Sequence, residues 1–132
     1  MIHPHKEISV IGRSLGSAVA TYVAANRTLA KLVLITPFDS IQHIAQSQYP
    51  IYPMSLLLKD KHDSYSRANK ITAQTLVIAA EKDNIIGMVH TQRLIDGFSN
   101  NVMLDVIKGA NHNNISEFPH YNQILGDFLK SE

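Results

Sequence analysis

The sequence predicts an α/β fold with about four parallel strands flanked by helices. Three observations carry this. Four short apolar runs rich in Val, Ile and Leu, "EISVIG" (7–12), "KLVLITP" (31–37), "QTLVIAAE" (74–81) and "VMLDVIKG" (102–109), recur along the chain. Between them lie segments with helical character. Continuous apolar strands alternating with helices mean a parallel sheet covered on both faces. The third observation is size. At 132 residues the chain is long enough for one domain and too short for two comfortable ones.

The elements follow in order. "EISVIG" is β-branched and ends in Gly, as a buried strand does. "SAVATYVAANR" (17–27) holds small and apolar residues throughout and predicts a helix packed tightly on something flat. "KLVLITP" is a second buried strand, stopped by Pro37. "SIQHIAQSQY" (40–49) predicts a helix ended by Pro50, and "PIYPMSLLLKDKHDSY" (50–65) is irregular, with a Leu triplet and then charges. Together, over about 40–70, they read as a short lid insertion. "QTLVIAAE" is a third strand. "GMVHTQRLIDGF" (87–98) is helical, with Val89, Leu94 and Phe98 expected on one face. "VMLDVIKG" is the fourth strand. "EFPHYNQILGDFLK" (117–130) predicts an amphipathic helix whose apolar stripe is Tyr121, Ile124, Leu125, Phe128 and Leu129.

Composition removes several function classes. Twelve basic and eleven acidic side chains give a net charge of +1, with 45% hydrophobic and 17% charged residues. No basic block marks a nucleic-acid or membrane footprint, so no nucleic-acid partner is expected. The absence of cysteine excludes a disulfide framework, a thiolate metal site and a cysteine nucleophile. No apolar run reaches spanning length, and "MIHPHKEISV" carries no signal-peptide pattern; a cytoplasmic location is the expectation. Seven histidines invite a metal reading, but His3, His5, His43, His62, His90 and His120 are scattered and form no H-E-x-x-H or comparable cluster, so no metal is expected. "GRSLGS" is neither G-x-G-x-x-G nor a P-loop.

Gly12-Arg13-Ser14-Leu15-Gly16 is G-x-S-x-G between a predicted strand and a predicted helix. In that context a sharp turn presses the serine into a strained conformation and exposes its hydroxyl. A Cβ at Gly12 or at Gly16 is expected to collide with the neighbouring strand or helix. The Leu15 N–H, at a helix N-terminus, can point at a developing oxyanion. The alternative is a tight turn in which Ser14 merely caps the helix. Downstream, Asp83 follows the third strand and His112 the fourth, past the strand ends where open parallel sheets place their ligands. Asp83 alone reads as a turn residue and His112 alone as a polar loop residue. In the order Ser, acid, His they read as a nucleophile, an orienting carboxylate and a general base. Arg13 reads as a surface or partner contact. Asp63 reads as a hydrogen-bonding residue of the lid, and Tyr49, Tyr52, Met54 and Leu56–Leu58 as lid packing or the lining of an acyl pocket.

The chain resembles the α/β-hydrolase superfamily, in particular small serine hydrolases carrying "GRSLG", "LVLITPFDSI", "LLLKDKHDS", "LVIAAEKDNII" and "GANHNNIS" in that order. The stretches cover nearly everything from Ile8 onward. The resemblance implies a partial α/β-hydrolase fold over 1–132, with the elbow at 12–16 and the acid and His loops at 81–87 and 109–116. It implies Ser14 as nucleophile, Asp83 as acid, His112 as base, and hydrolysis of an ester, thioester or amide through an acyl-enzyme. It implies a small acyl-ester or peptide-like substrate and no cofactor. Gly87 departs from the proline common in relatives after the acid loop. In this superfamily the elbow follows the fifth of eight strands, whereas here it follows the first. The resemblance therefore implies a chain lacking the earlier strands and the loop that supplies the second oxyanion N–H, a loss of roughly 10²–10³-fold in rate. The strand at 7–12 would then be an exposed edge, open to self-association. The alternative function is a non-catalytic fragment or interaction module that pairs through this edge.

Overall fold

The computed structural model describes residues 8–37, 64–83 and 86–131. The helix expected at 40–49 and nearly all of the lid-like segment, with Tyr49, Tyr52, Met54, Leu56–Leu58 and Asp63, lie outside them. Four strands, β1 (Ser9–Arg13), β2 (Lys31–Ile35), β3 (Gln74–Ala80) and β4 (Val102–Ile107), form one parallel sheet in sequence order. The described helices are α1 (Leu15–Asn26), α2 (Ser64–Ala68), α3 (Met88–Asp96) and α4 (Pro119–Lys130), the last preceded by a 3₁₀ turn at Ile115–Glu117. No described helix is long and apolar enough to cross a membrane.

Strand periodicity sorts the core into two layers. Leu32, Leu34 and Val77 pack with Ala20 and Ala24 of α1, Ala68 of α2 and Leu94 of α3. Val33, Ile35, Leu76 and Ile78 pack on the other face with Tyr121 and Phe128 of α4. β2 and β3 are covered on both sides, which is why they read as unbroken apolar runs. The outer strands are not. Ile8 and Ile11 beside β1, and Met103 and Leu104 on β4, are exposed. Residues 64–71, at the end of the lid-like segment, contribute Ala68 and Ile71 to the core.

Two helical stripes differ from expectation at one residue each. Val89 is exposed, because five residues separate it from buried Leu94, about 140° around the helix; Thr91 takes the buried place beside Leu94. Leu129 lies at the margin of the α4 stripe and is partly exposed, while Phe128 is buried.

At the N-terminal end of β2, the Lys31 side chain is buried and its Nζ donates to the carbonyls of Phe128 (2.6 Å), Leu129 (3.2 Å) and Ser131, and to Ser131 Oγ (3.1 Å). The ammonium also lies 5.4 Å from the Phe128 ring centroid. These acceptors sit at the C-terminus of α4, where the helix dipole favours a cation. The bond therefore clamps α4 to the sheet.

α1 crosses β1 at Gly12. A Cβ there would lie 2.5 Å from the Gly16 carbonyl oxygen, 2.6 Å from Ala20 Cβ and 2.9 Å from Ser17 Cα. Two of these are backbone atoms, which cannot swing away. Gly16 does not behave as expected: a Cβ there meets nothing within 4 Å among the described residues, because it projects from the exposed side of the first turn of α1. Gly12→Ala is therefore expected to destabilise the fold by about 1–3 kcal/mol, the usual range for overpacking. Gly16→Ala should leave stability unchanged or raise it slightly. Urea denaturation of the two variants checks the contrast; equal losses would contradict it.

Candidate active site

Ser14 occupies the single position between β1 and α1, with φ 53° and ψ −119°. Side-chain-bearing residues rarely adopt such a conformation, which costs about 1–3 kcal/mol where surrounding structure enforces it. The enforcement is visible. The Ser14 N–H donates to the Ile35 carbonyl at 2.8 Å, crossing to the end of β2. The Ser14 carbonyl accepts the Ser17 N–H at 2.9 Å and the buried Ser17 hydroxyl at 2.6 Å. The Ser14 side chain makes no capping hydrogen bond to α1. It turns outward, and its Oγ lies 2.9 Å from His112 Nε2. Leu15 is the first residue of α1, so its amide is among the N–H groups that a helix leaves without an internal partner.

Asp83 follows β3, in a loop pinned to the neighbouring strand's end. Glu81 N–H donates to the Ile107 carbonyl (3.2 Å) and Lys82 N–H to the Ala110 carbonyl (2.8 Å). Asp83 Oδ2 lies 2.9 Å from His112 Nδ1, and Oδ1 accepts the Ile86 N–H at 2.6 Å. The two side chains are only 4% and 11% exposed. A carboxylate on Nδ1 selects the tautomer protonated there, which leaves Nε2 as the acceptor for the Ser14 hydroxyl.

His112 rides on a tight loop. Gly109, at φ 79°, turns the chain after β4, and its N–H donates to Glu81 Oε1 at 2.9 Å. Asn111 Oδ1 accepts the N–H groups of Asn113 (2.9 Å) and Asn114 (3.0 Å), while Asn114 Oδ1 accepts the Asn111 N–H (2.8 Å). Such side-chain-to-backbone bonds are what make Asn a loop-setting residue. Glu81, Asn111 and Asn114 were not singled out from the sequence. The asparagine-rich run "ANHNN" is the signal that points to the last two.

The structure thus brings Ser14, His112 and Asp83 together, with Gly12 beneath the turn and Leu15 at the helix start. Arg13 is exposed, as a surface contact would be, and it also reaches the His loop. Its Nη2 donates to the His112 carbonyl at 3.0 Å and the Asn113 carbonyl at 3.4 Å, and its Nη1 to Ser116 Oγ at 3.5 Å. Thr36 is a second strained residue, buried, with φ 47°. Its Oγ1 donates at 2.7 Å to the Ile35 carbonyl that also takes the Ser14 N–H. Among the described residues, no three His, Asp or Glu side chains are grouped to hold a metal ion. A cleft of about 290 Å³ lined by Leu76, Met103, Leu104, Ile124 and Phe128 opens between β4 and α4, and none of its walls is Ser14, Asp83 or His112.

An uncharacterized protein of Mycobacterium tuberculosis is 36% identical over 106 residues, which are 80% of this chain and 38% of that protein. The human alpha/beta hydrolase domain-containing protein 17B is 24% identical over 127 residues, 96% of this chain and 43% of that one. The chain therefore spans about two fifths of the length of these curated relatives. Among solved structures, the esterase domain of a Rhodothermus marinus protein superposes with a TM-score of 0.72 at 15% identity, covering 91% of this chain and 59% of that domain. No family model matches the chain.

The strain at Ser14 has a measurable signature. Ser14→Gly relieves the positive φ, whereas Ser14→Ala retains it. The glycine variant should melt a few degrees above the alanine variant, about 1 kcal/mol more stable. Calorimetry in which Ser14→Ala is the more stable of the two would contradict an enforced conformation.

Proposed function

This chain belongs to the α/β-hydrolase superfamily, and on that premise we propose that it carries the catalytic triad of a serine hydrolase acting on ester, thioester or amide bonds. The observation that carries the reading is the continuous path Ser14 Oγ–His112 Nε2 at 2.9 Å and His112 Nδ1–Asp83 Oδ2 at 2.9 Å, joined across 98 and 29 residues of sequence.

Each role follows from chemistry. The Ser14 hydroxyl is a poor nucleophile until a base takes its proton, and Nε2 of His112 is placed to do so as Oγ attacks the substrate carbonyl carbon. Asp83 holds the ring in the required tautomer and stabilises the imidazolium that forms. The carbonyl oxygen becomes an oxyanion, for which the Leu15 N–H at the start of α1 is the donor this chain offers. The imidazolium then gives its proton to the leaving oxygen, sulfur or nitrogen as the tetrahedral centre collapses to an acyl-Ser14. Water, deprotonated by the same His112, releases the acid and restores the serine. No cofactor enters this sequence. The substrate class is a small acyl ester or a peptide-like amide, and the location cytoplasmic.

Fluorophosphonate labelling read by intact mass tests the assignment. One adduct on Ser14 is expected, absent in Ser14→Ala. His112→Ala and Asp83→Asn should slow labelling by orders of magnitude, with the acid substitution the milder. Labelling that survives Ser14→Ala would overturn the nucleophile.

A second reading rests on a different observation. β1 is an outermost strand of the described sheet, and Ile8 and Ile11 are exposed. An apolar edge of this kind templates pairing with another strand. We propose that two copies of the chain associate through it, since like edges can pair about a two-fold axis. Light scattering is expected to give a dimer or larger species that Ile11→Lys shifts towards monomer; a monomeric wild-type chain would exclude it.

A further inference from the structure

We propose that Arg13 is a positioning residue for His112, a rivet between the nucleophile turn and the loop that carries the base. The inference rests on the triad reading above and adds a role for the variable residue of G-x-S-x-G.

Three observations support it. Arg13 is the last residue of β1 and immediately precedes Ser14, so its backbone belongs to the turn that aims the nucleophile. Its guanidinium spans the carbonyls of His112 and Asn113 from one nitrogen and reaches Ser116 Oγ with another. These partners begin at the imidazole-bearing residue itself and run along the turn that follows it, to Ser116. Bonds within the two loops set the shape of each loop, and the Ser14–His112 and Asp83–His112 contacts hold the ring itself. The guanidinium alone ties the backbone of the His turn to the backbone of the elbow among the hydrogen bonds described above.

The fork geometry matters. Planar guanidinium donors can engage several acceptors from one fixed orientation, which a lysine ammonium on a flexible stem does not reproduce. The group is exposed, and exposed polar contacts contribute little to global stability. Its effect is expected on geometry instead. A base displaced by about 1 Å can lower the rate by roughly 10²-fold without unfolding anything. Arg13 touches no reacting atom in this arrangement and acts only through His112.

The test is a double-mutant cycle on the full chain, read by the second-order rate of fluorophosphonate labelling, with thermal unfolding measured alongside. Arg13→Ala is expected to slow labelling about 10–100-fold while leaving the melting temperature nearly unchanged. Arg13→Lys should recover only part of the rate. In a His112→Ala background, Arg13→Ala should cost nothing further, because the group it positions is gone. Equal slowing in both backgrounds would show a general structural role and overturn the proposal. So would an unchanged rate in Arg13→Ala. If the wild-type chain labels at Ser14 and Arg13→Ala labels equally fast, this inference alone fails. If wild-type Ser14 does not label, the triad reading fails and takes this one with it.

Discussion

The close approach of α1 to β1 at Gly12 is the contact on which the site depends. The helix can lie there only because Gly12 has no Cβ and because Ser17 and Ala20 present small groups to it. That proximity leaves one residue to reverse the chain between strand and helix. Ser14 is the residue that takes the strain, with φ 53°. A wider turn would relax it, but would also lower its hydroxyl into the helix cap. Here the Ser14 side chain makes no cap bond and reaches the imidazole instead, while the Ser17 hydroxyl, inside the first turn of α1, donates to the Ser14 carbonyl and holds the turn.

Parallel strands make the rest of the site cheap to assemble. Their C-terminal ends fall at one edge of the sheet, so loops distant in sequence emerge side by side. β1 delivers Ser14, β3 delivers Asp83 and β4 delivers His112. β2 delivers no reacting group, yet it props the turn. Its Ile35 carbonyl accepts both the Ser14 N–H and the Thr36 hydroxyl, and Thr36 N–H passes on to the Ile78 carbonyl of β3. Two strained residues thus share one acceptor, and the strain is locked in by strands buried on both faces.

The two ends of the sheet do different work. At one end lie the turn, the acid loop and the His loop. At the other, Lys31 fastens the C-terminus of α4 through its last carbonyls. α4 begins just after the 3₁₀ turn that follows the His loop. Fixing its far end therefore restrains the segment from which the loop departs. The outer strands β1 and β4 keep apolar side chains exposed.

Much of this was written in the sequence because it is local. β-branched runs ending in Gly or Pro mark the strands, G-x-S-x-G between strand and helix marks the turn, and Asp83 and His112 each stand just past a strand end. The parallel pairing of the strands follows from the alternation of elements; their order within the sheet, β1-β2-β3-β4, came from the structure. What the sequence could not contain is which groups meet across long separations. Arg13 is the surface residue it looks like, but its acceptors lie about a hundred positions away and could not be read from the sequence. Lys31, inside an apolar run, looked like a strand terminus, although its charge is satisfied by a helix end 97 residues on. Gly16 matched the motif, yet its need for the absence of a side chain depends on what stands beside it, and among the described residues nothing does. Periodicity assigns residues to faces, but only packed neighbours decide which position at the margin of a face is buried, as Thr91 is and Val89 is not. Local pattern therefore determined the described elements and the candidate site residues of this protein. The tertiary structure alone decided what holds them in place, because those bonds join loops that only the folded sheet brings together.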